Sequence, residues 1–185
     1  MTAAFELRGR RLVLRRFEYA DAQDLLSLDD NDRVRRYLID DPVDTPTQAL
    51  LLVDHLLTLY ADGRGLGIWH ASDEHQQFLG HFSLMPVSDT DDVEIGVRLG
   101  PQAWGKHYAL EGGRLLCQYG FEQLQLPRIV GFCDPENRVV DVLLRRLRFD
   151  ALGLQTIKGR EVLAFSRENP RQVSPEDRAR QDRAR

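Results

Sequence analysis

Residues 93–121 read VEIGVRLGPQAWGKHYALEGGRLLCQYGF, and this stretch constrains the fold more than any other. Its first part alternates: Val93, Ile95, Val97 and Leu99 fall on one face and Glu94, Gly96 and Arg98 on the other, the period of a strand. Gly100-Pro101 stops that strand. Beyond Gln102-Ala103-Trp104-Gly105-Lys106-His107 the spacing turns helical, with Leu116, Cys117, Gly120 and Leu124 on one stripe. A strand that enters a tight turn and opens a helix leaves backbone N–H groups unpaired at the helix start, where the macrodipole also favours an anion. Phosphate suits such a cradle. A lone glycine at a helix start is more often a packing or turn device than a ligand cradle, so spacing alone does not establish an anion site.

The flanking segments read as alternating strands and helices. Arg11 to Phe17 is a strand with Leu12 and Leu14 inward, followed by Asp21 in a position to cap a short helix through Leu28. A second short helix covers Asp29 to Tyr37 and ends before Asp40-Asp41-Pro42. Thr45-Pro46 opens a longer helix with Leu50, Val53, Leu56, Leu57 and Tyr60 at core spacing, closed by Gly63. Leu66–Ser72 and Phe78–Met85 form a hairpin that Val93–Leu99 extends into a meander. In it, His70 and His81 read as partly exposed strand residues, with proton carriers in a cleft as the alternative. Arg128–Cys133 is a further strand, and Asn137 caps a helix bearing Val139, Val140, Leu143, Leu144 and Leu147. Ala151–Ile157 and Val162–Phe165 make a last hairpin through Lys158-Gly159-Arg160. Residues 1–166 thus read as a single domain, and the charged stretch 167–185 as a disordered tail.

A chain of 185 residues, 42% hydrophobic and 29% charged, is long enough to bury a proper core. Its net charge of -4 speaks against a nucleic-acid surface, which needs a basic patch. The local clusters Arg8, Arg10, Arg11, Arg15, Arg16 and Arg145, Arg146, Arg148 read as a solvated strand edge and helix face, with attraction of a nucleotide as the second option. Cys117 and Cys133 match neither a disulfide framework nor a metal pattern, so they read as small core residues in a reducing compartment, and no metal is expected. No charged segment precedes an apolar run at the N-terminus, and the longest leucine-rich run is broken by Asp54 and His55, so neither signal peptide nor membrane span is expected and the protein reads as cytoplasmic.

Gln102-x-x-Gly105-x-His107 resembles the (R/Q)-x-x-G-x-(G/A) signature of the GNAT superfamily of acyl-CoA-dependent N-acetyltransferases, which lies between a strand and a helix. The surrounding WGKHYALEGGRLLCQYGFEQL is similar to the RimJ/RimL branch, where W-G-K-G-Y-A-x-E precedes an aromatic-rich helix end. The similarity runs from GRRLVLRRF to PENRVVDVLLRRLRF, most of the chain. It implies an α+β fold of three α/β/α layers, with a mixed, mostly antiparallel sheet of about seven strands that splays between its fourth and fifth. It also implies acetyl-CoA as co-substrate and an amine as acceptor, either a protein N-terminus or a small molecule. Neither nucleic acid nor membrane is an implied partner, and homodimerisation stays open. The pyrophosphate would rest on the amides of Ala103, Trp104, Gly105, Lys106, His107 and Tyr108, with Gln102 completing the signature and Lys106 adding charge. Pantetheine would bond the main chain of Val97 and Leu99, near an N–H that serves the oxyanion, and Asn137 would reach the arm near the sulfur. The first two short helices would wall the acceptor site.

Acetyl transfer to an amine also needs a base, and Glu94 is the first candidate because relatives place an acid on this strand; Asp92 is the weaker one. A carboxylate with a pKa of about 4.3 is a poor base at neutral pH unless burial raises it, and a cross-strand ion pair is the equal alternative. The general acid is missing: Val140 stands where relatives carry serine, and no tyrosine follows before Phe149. A thiol pKa near 8.5 makes water an adequate proton source. His107 replaces the small residue of the signature, and Arg148 replaces the glycine of the family's L-G-F ending. These departures keep a second reading open, a domain that binds acyl-CoA without efficient transfer.

Overall fold

The computed structural model describes residues 5–157 and 159–172. Eight strands form one sheet in the order β1-β2-β3-β4-β5-β6-β8-β7. They are β1 (Glu6–Arg8), β2 (Leu12–Arg16), β3 (Gly67–Asp73), β4 (Phe78–Pro86), β5 (Val93–Leu99), β6 (Arg128–Cys133), β7 (Asp150–Ile157) and β8 (Arg160–Glu168). The sequence pattern yields one strand fewer, because Glu6–Arg8 is too short to show a period and is recognisable only by its pairing with β2. Every neighbouring pair is antiparallel except β5 with β6. Lys158, in the last hairpin turn, lies outside the described residues.

Helices cover both faces, which gives three layers. α1 (Ala22–Asp29), α2 (Asp32–Arg35) and α3 (Pro46–Ala61) lie on one side, α4 (Tyr108–Glu122) and α5 (Arg138–Arg146) on the other. Strand alternation sorts the residues between two cores: Leu12, Leu14, Trp69 and Phe82 pack under α4, whereas Phe17 meets Leu25, Val53, Leu56 and Tyr60 under α1 and α3. α3 starts as its sequence dictates. Thr45 Oγ1 accepts from Gln48 N–H, the Gln48 side chain returns to Thr45 N–H, and Pro46 occupies the first turn. Its buried stripe is Ala49, Val53, Leu56 and Tyr60, so Leu50 turns outward, 47% exposed, one helical step off the stripe.

Several local expectations shift. Asp21 does not cap α1 with its side chain; the carboxylate turns back to Arg15 and to Glu18 N–H instead. Asp29 closes α1, and Asn31 caps a shorter second helix than Asp29–Tyr37. On α5, Val139 faces solvent at 79% exposure while Leu144 is buried. The last strand runs to Glu168, and the buried Asn169 donates to the carbonyls of Phe121 and Leu126 at 3.2 and 2.9 Å, so ordered chain passes residue 166. Residues 173–185 of the expected tail lie outside the described residues.

Candidate active site

The sheet opens where its two parallel strands meet. β5 and β6 are in register only at Glu94↔Val130, while β4 holds β5 along its whole length from Pro86↔Val93 to Gly80↔Leu99. Past Glu94 the edge of β5 that faces β6 therefore has no strand partner, and its main-chain groups need hydrogen bonds from elsewhere. Val97 is half-buried along this gap. Leu99 is buried, and its carbonyl accepts from Trp104 Nε1 at 2.7 Å, so of its two main-chain groups the carbonyl already has a partner. Asn137 stands at the start of α5. Its Oδ1 accepts from Val140 N–H at 3.3 Å, which uses the side-chain oxygen as a cap and leaves the amide nitrogen for other contacts.

At the end of the gap the chain builds an amide-lined turn. Pro101–Ala103 form a tight helical turn, and Gly105 (φ 72) and His107 (φ 65) both take the left-handed region on either side of Lys106. Helical bonding begins with Glu111 N–H to His107 C=O at 3.1 Å, which leaves the amides of Tyr108, Ala109 and Leu110 without an intrahelical acceptor. Gly105 takes its conformation freely, with nothing within 4 Å of where a Cβ would stand. His107 takes it at a cost on the order of 1 kcal/mol, since a side chain there crowds the backbone. Its imidazole is exposed and caps nothing. Gln102 does not face the turn amides: its Nε2 donates to Phe78 C=O at 3.0 Å and ties the turn to β4.

Arg11 is the residue of this region that periodicity does not disclose. Its Nη1 donates to Lys106 C=O at 2.9 Å, its guanidinium lies 4.7 Å from the centre of the Tyr108 ring, and it bonds Glu111 through both main chain and side chain at 2.7 and 3.0 Å. Burial opposes ionisation of Glu111, but the backbone N–H and guanidinium of Arg11 outweigh it and hold the carboxyl below its usual value. This ion pair staples β2 to the first turn of α4. The only signal in the sequence is a glutamate four residues into the helix, facing an arginine-rich strand.

On the opposite face of β5, Glu94 is half-buried beside Met85 of β4 and Val130 of β6. Asp92 is engaged: both its oxygens accept from Arg128, one at 2.7 Å. Arg98 points to the same face as Glu94 and donates to both oxygens of Asp29 at 2.8 and 2.7 Å, while Asp29 Oδ2 also accepts from Val43 N–H at 2.9 Å. Asp29 is 2% exposed. A buried carboxylate thus locks the end of α1 and the segment before α3 to β5.

His70 is buried rather than partly exposed as expected, whereas His81 is half-buried, in line with its reading as a partly exposed strand residue. They stand opposite each other on β3 and β4, between Arg15 of β2 and Arg98 of β5, and form one row across the sheet beneath α1. His70 is 3% exposed, and the Nδ1 atoms of both are buried without a hydrogen-bond partner. Burial depresses both imidazoles, helped by Arg15 for His70 and by Arg98 for His81, so both are neutral at neutral pH. Among the described residues, Asp21, Asp24 and His70 place one ligand atom each within 4.8 Å of the others, a possible cation site. Arg15 already occupies both Asp21 oxygens at 2.7 and 2.8 Å, and its charge opposes a metal ion there. Cys117 and Cys133 are buried, and desolvation pushes each thiol up to about 11, so neither is a nucleophile.

Known proteins are similar to this chain in sequence and fold. Residues 11–150 match the acetyltransferase (GNAT) domain. The chain is 31% identical over 163 residues to the uncharacterized N-acetyltransferase p20 of Bacillus licheniformis, a match spanning 84% of this chain and 92% of that one. The crystal structure of a GNAT-family acetyltransferase from Bacillus anthracis superposes with a TM-score of 0.77 at 20% identity, covering 89% of this chain and 99% of that one. RimL, a ribosomal L7/L12 alpha-N-protein acetyltransferase solved in complex with coenzyme A, superposes equally well, with a TM-score of 0.77 at 17% identity, covering 89% and 98%. A family match over three quarters of the sequence and a relative 31% identical over most of the chain lead to one assignment: the chain belongs to the GNAT family of N-acetyltransferases.

Proposed function

We propose that this protein moves the acetyl group of acetyl-CoA onto a primary amine, of a protein N-terminus or a small molecule, by direct attack in a ternary complex. The observation that supports it most is the single register pair between β5 and β6 beside the free amides of α4. Acetyl-CoA enters as a substitute strand, its pantetheine against the open edge at Val97 and the N–H of Leu99, with Asn137 near the sulfur. The pyrophosphate rests on the amides from Ala103 to Tyr108, and Lys106 adds a positive charge. Arg11 holds that turn in shape by fixing the carbonyl of Lys106.

The amine nitrogen attacks the thioester carbon from the face that carries Glu94, and Glu94 takes the proton that the nitrogen sheds. Negative charge gathers on the carbonyl oxygen, where a main-chain N–H near Val97 receives it. The carbon–sulfur bond then breaks. The departing thiolate takes a proton from water, since Val140 offers no hydroxyl at the start of α5 and a thiolate leaves readily unaided. The α1–α2 region, fastened to β5 by Asp29 and Arg98, forms the wall that selects the acceptor.

Thiol release measured with panels of amines, amino acids and N-terminal peptides tests the reading. Glu94→Gln should keep acetyl-CoA affinity in calorimetry and lose about 100-fold or more in turnover, the usual contribution of a positioned base. Acetyl-CoA binding without thiol release on any acceptor would instead mark a binding module that senses the acyl donor.

A further inference from the structure

A second charged site lies at the other end of α4 from the amide turn. A cavity of about 410 Å³ sits between the last turns of α4 and α5 and the end of β8, and Arg114, Arg146, Arg148, Arg167 and Arg171 line it. The lining holds one carboxylate, Glu122, and Arg171 binds it at 2.7 Å. Five guanidinium groups against one carboxylate leave a strongly positive cleft in a chain whose net charge is -4. Arg114, Arg146 and Arg148 form no ion pair among the described residues. Arg167 lies over the Phe121 ring, 5.3 Å from its centre, beside the buried floor of the cavity. The neutral Cys117 thiol at that floor offsets none of the charge.

Helix C-termini attract cations, and that accounts for Arg146 in the last turn of α5. It does not account for Arg114 in the middle of α4, nor for Arg148. Arg148 sits just past α5 at φ 65, with its N–H bonded to Arg145 C=O and Phe149 N–H bonded to Leu144 C=O at 2.9 and 3.0 Å. This is the helix ending in which glycine is the unstrained residue. The chain bears a strained arginine there, and its side chain lines the cavity. Guanidinium groups converging on one volume match the oxygens of phosphoryl groups, each able to take two parallel hydrogen bonds. One phosphate cannot use so many donors, whereas a chain of them can.

We propose that this cleft binds a small anion with two or more linked phosphoryl groups, at a site separate from the acyl-donor site. The lining residues of α4 begin at Arg114, about 9 Å along the helix from Tyr108, and run to its far end at Glu122, so an occupant at the last turns leaves the amide turn free.

The test is calorimetry on the full chain saturated with coenzyme A, titrated with inorganic tripolyphosphate, ATP and adenosine. Saturable binding of tripolyphosphate at one per chain is expected, weakened at least about tenfold by Arg114→Gln and by Arg148→Gly. Arg148→Gly should not lower the melting temperature, since glycine accepts the positive φ, so lost affinity there cannot be blamed on unfolding. ATP binding more tightly than tripolyphosphate would make the ligand a nucleotide; equal affinity would make it the phosphate chain alone; adenosine should not bind. The proposal is overturned if coenzyme A abolishes tripolyphosphate binding, if both variants bind as the parent does, or if single-stranded RNA is strongly preferred. Failure of acetyl transfer in the Glu94 experiment would leave this result untouched.

Discussion

β5 has two neighbours and treats them differently. With β4 it forms seven consecutive register pairs; with β6 it forms one. The closed seam is backed on one face by the Trp69–Phe82–Val97 row under α4 and fastened on the other by Arg98 to Asp29. The open seam has no such fastening beyond Glu94. Unpaired strand edges are normally covered or avoided because their N–H and C=O groups need partners. An open edge in the middle of a sheet is tolerable when the strand that bears it is fixed from its other side. The strength of the first seam is what permits the second.

The largest effect should therefore come from releasing the fastening. Asp29→Ala removes a carboxylate that is 2% exposed and leaves the Arg98 guanidinium, itself only 17% exposed, without its partner. Breaking a buried pair in this way costs about 3–5 kcal/mol. Urea denaturation of the variant measures it, and a loss below about 1 kcal/mol would show that β5 does not depend on the clamp. Next comes the closed seam itself. Gly80 lies at φ 135 with Arg98 C=O only 2.1 Å from where a Cβ would stand. That is backbone, which cannot swing aside as a side chain would. Gly80→Ala should cost at least about 2 kcal/mol by overpacking and backbone strain together, and its midpoint in the same denaturation series is the check.

The difference between the seams was only half legible in the sequence. Alternation from Val93 to Leu99 gives a strand and its two faces, and the capping pair Thr45 and Gln48 gives the start of α3, because both signals are local. The opening between β5 and β6 has no local signature at all. It enters through the resemblance of Gln102-x-x-Gly105 to a known phosphate turn, which does not disclose that the Gln102 side chain ties back to Phe78. Asp29, Arg11 and the His70–His81 row went unread for one reason: each depends on a partner between 11 and 100 residues away in the chain. Polar residues on a strand look solvated until a helix is known to cover them.

That covered row predicts an acid sensitivity confined to the closed half. His70 and His81 both have folded-state pKa values below their ordinary one of about 6.5, with burial as the main cause. Well above about pH 6.5 both are neutral in either state, and their contribution to stability is complete. Below it the unfolded chain takes up protons that the folded chain refuses, so stability falls as pH drops from there towards the folded-state values. The slope reaches up to about 1.4 kcal/mol per pH unit for each histidine. Replacing one with a hydrophobe of similar size, His81→Leu, should flatten the slope between pH 6.5 and pH 5 in a denaturation series. An unchanged slope would mean that His81 is protonated in the folded chain.

The smallest effect belongs to the open half and should appear in binding rather than in stability. Arg11→Ala removes the donor to Lys106 C=O and the partner of Glu111, but leaves every strand pair in place. The amide turn loses its outer brace while the amides themselves remain. KM for acetyl-CoA should rise about 5–10-fold, roughly 1 kcal/mol, with kcat nearly constant because Arg11 touches neither Glu94 nor the reacting atoms. Arg11→Lys separates charge from shape: lysine keeps the positive charge but not the fork that reaches Glu111 and Lys106 together, so it should rescue only part of the loss. If kcat falls with KM in both variants, the turn and the chemistry are coupled through the sheet. The open seam would then be as rigid as the closed one, and the contrast between them would lie in pairing alone.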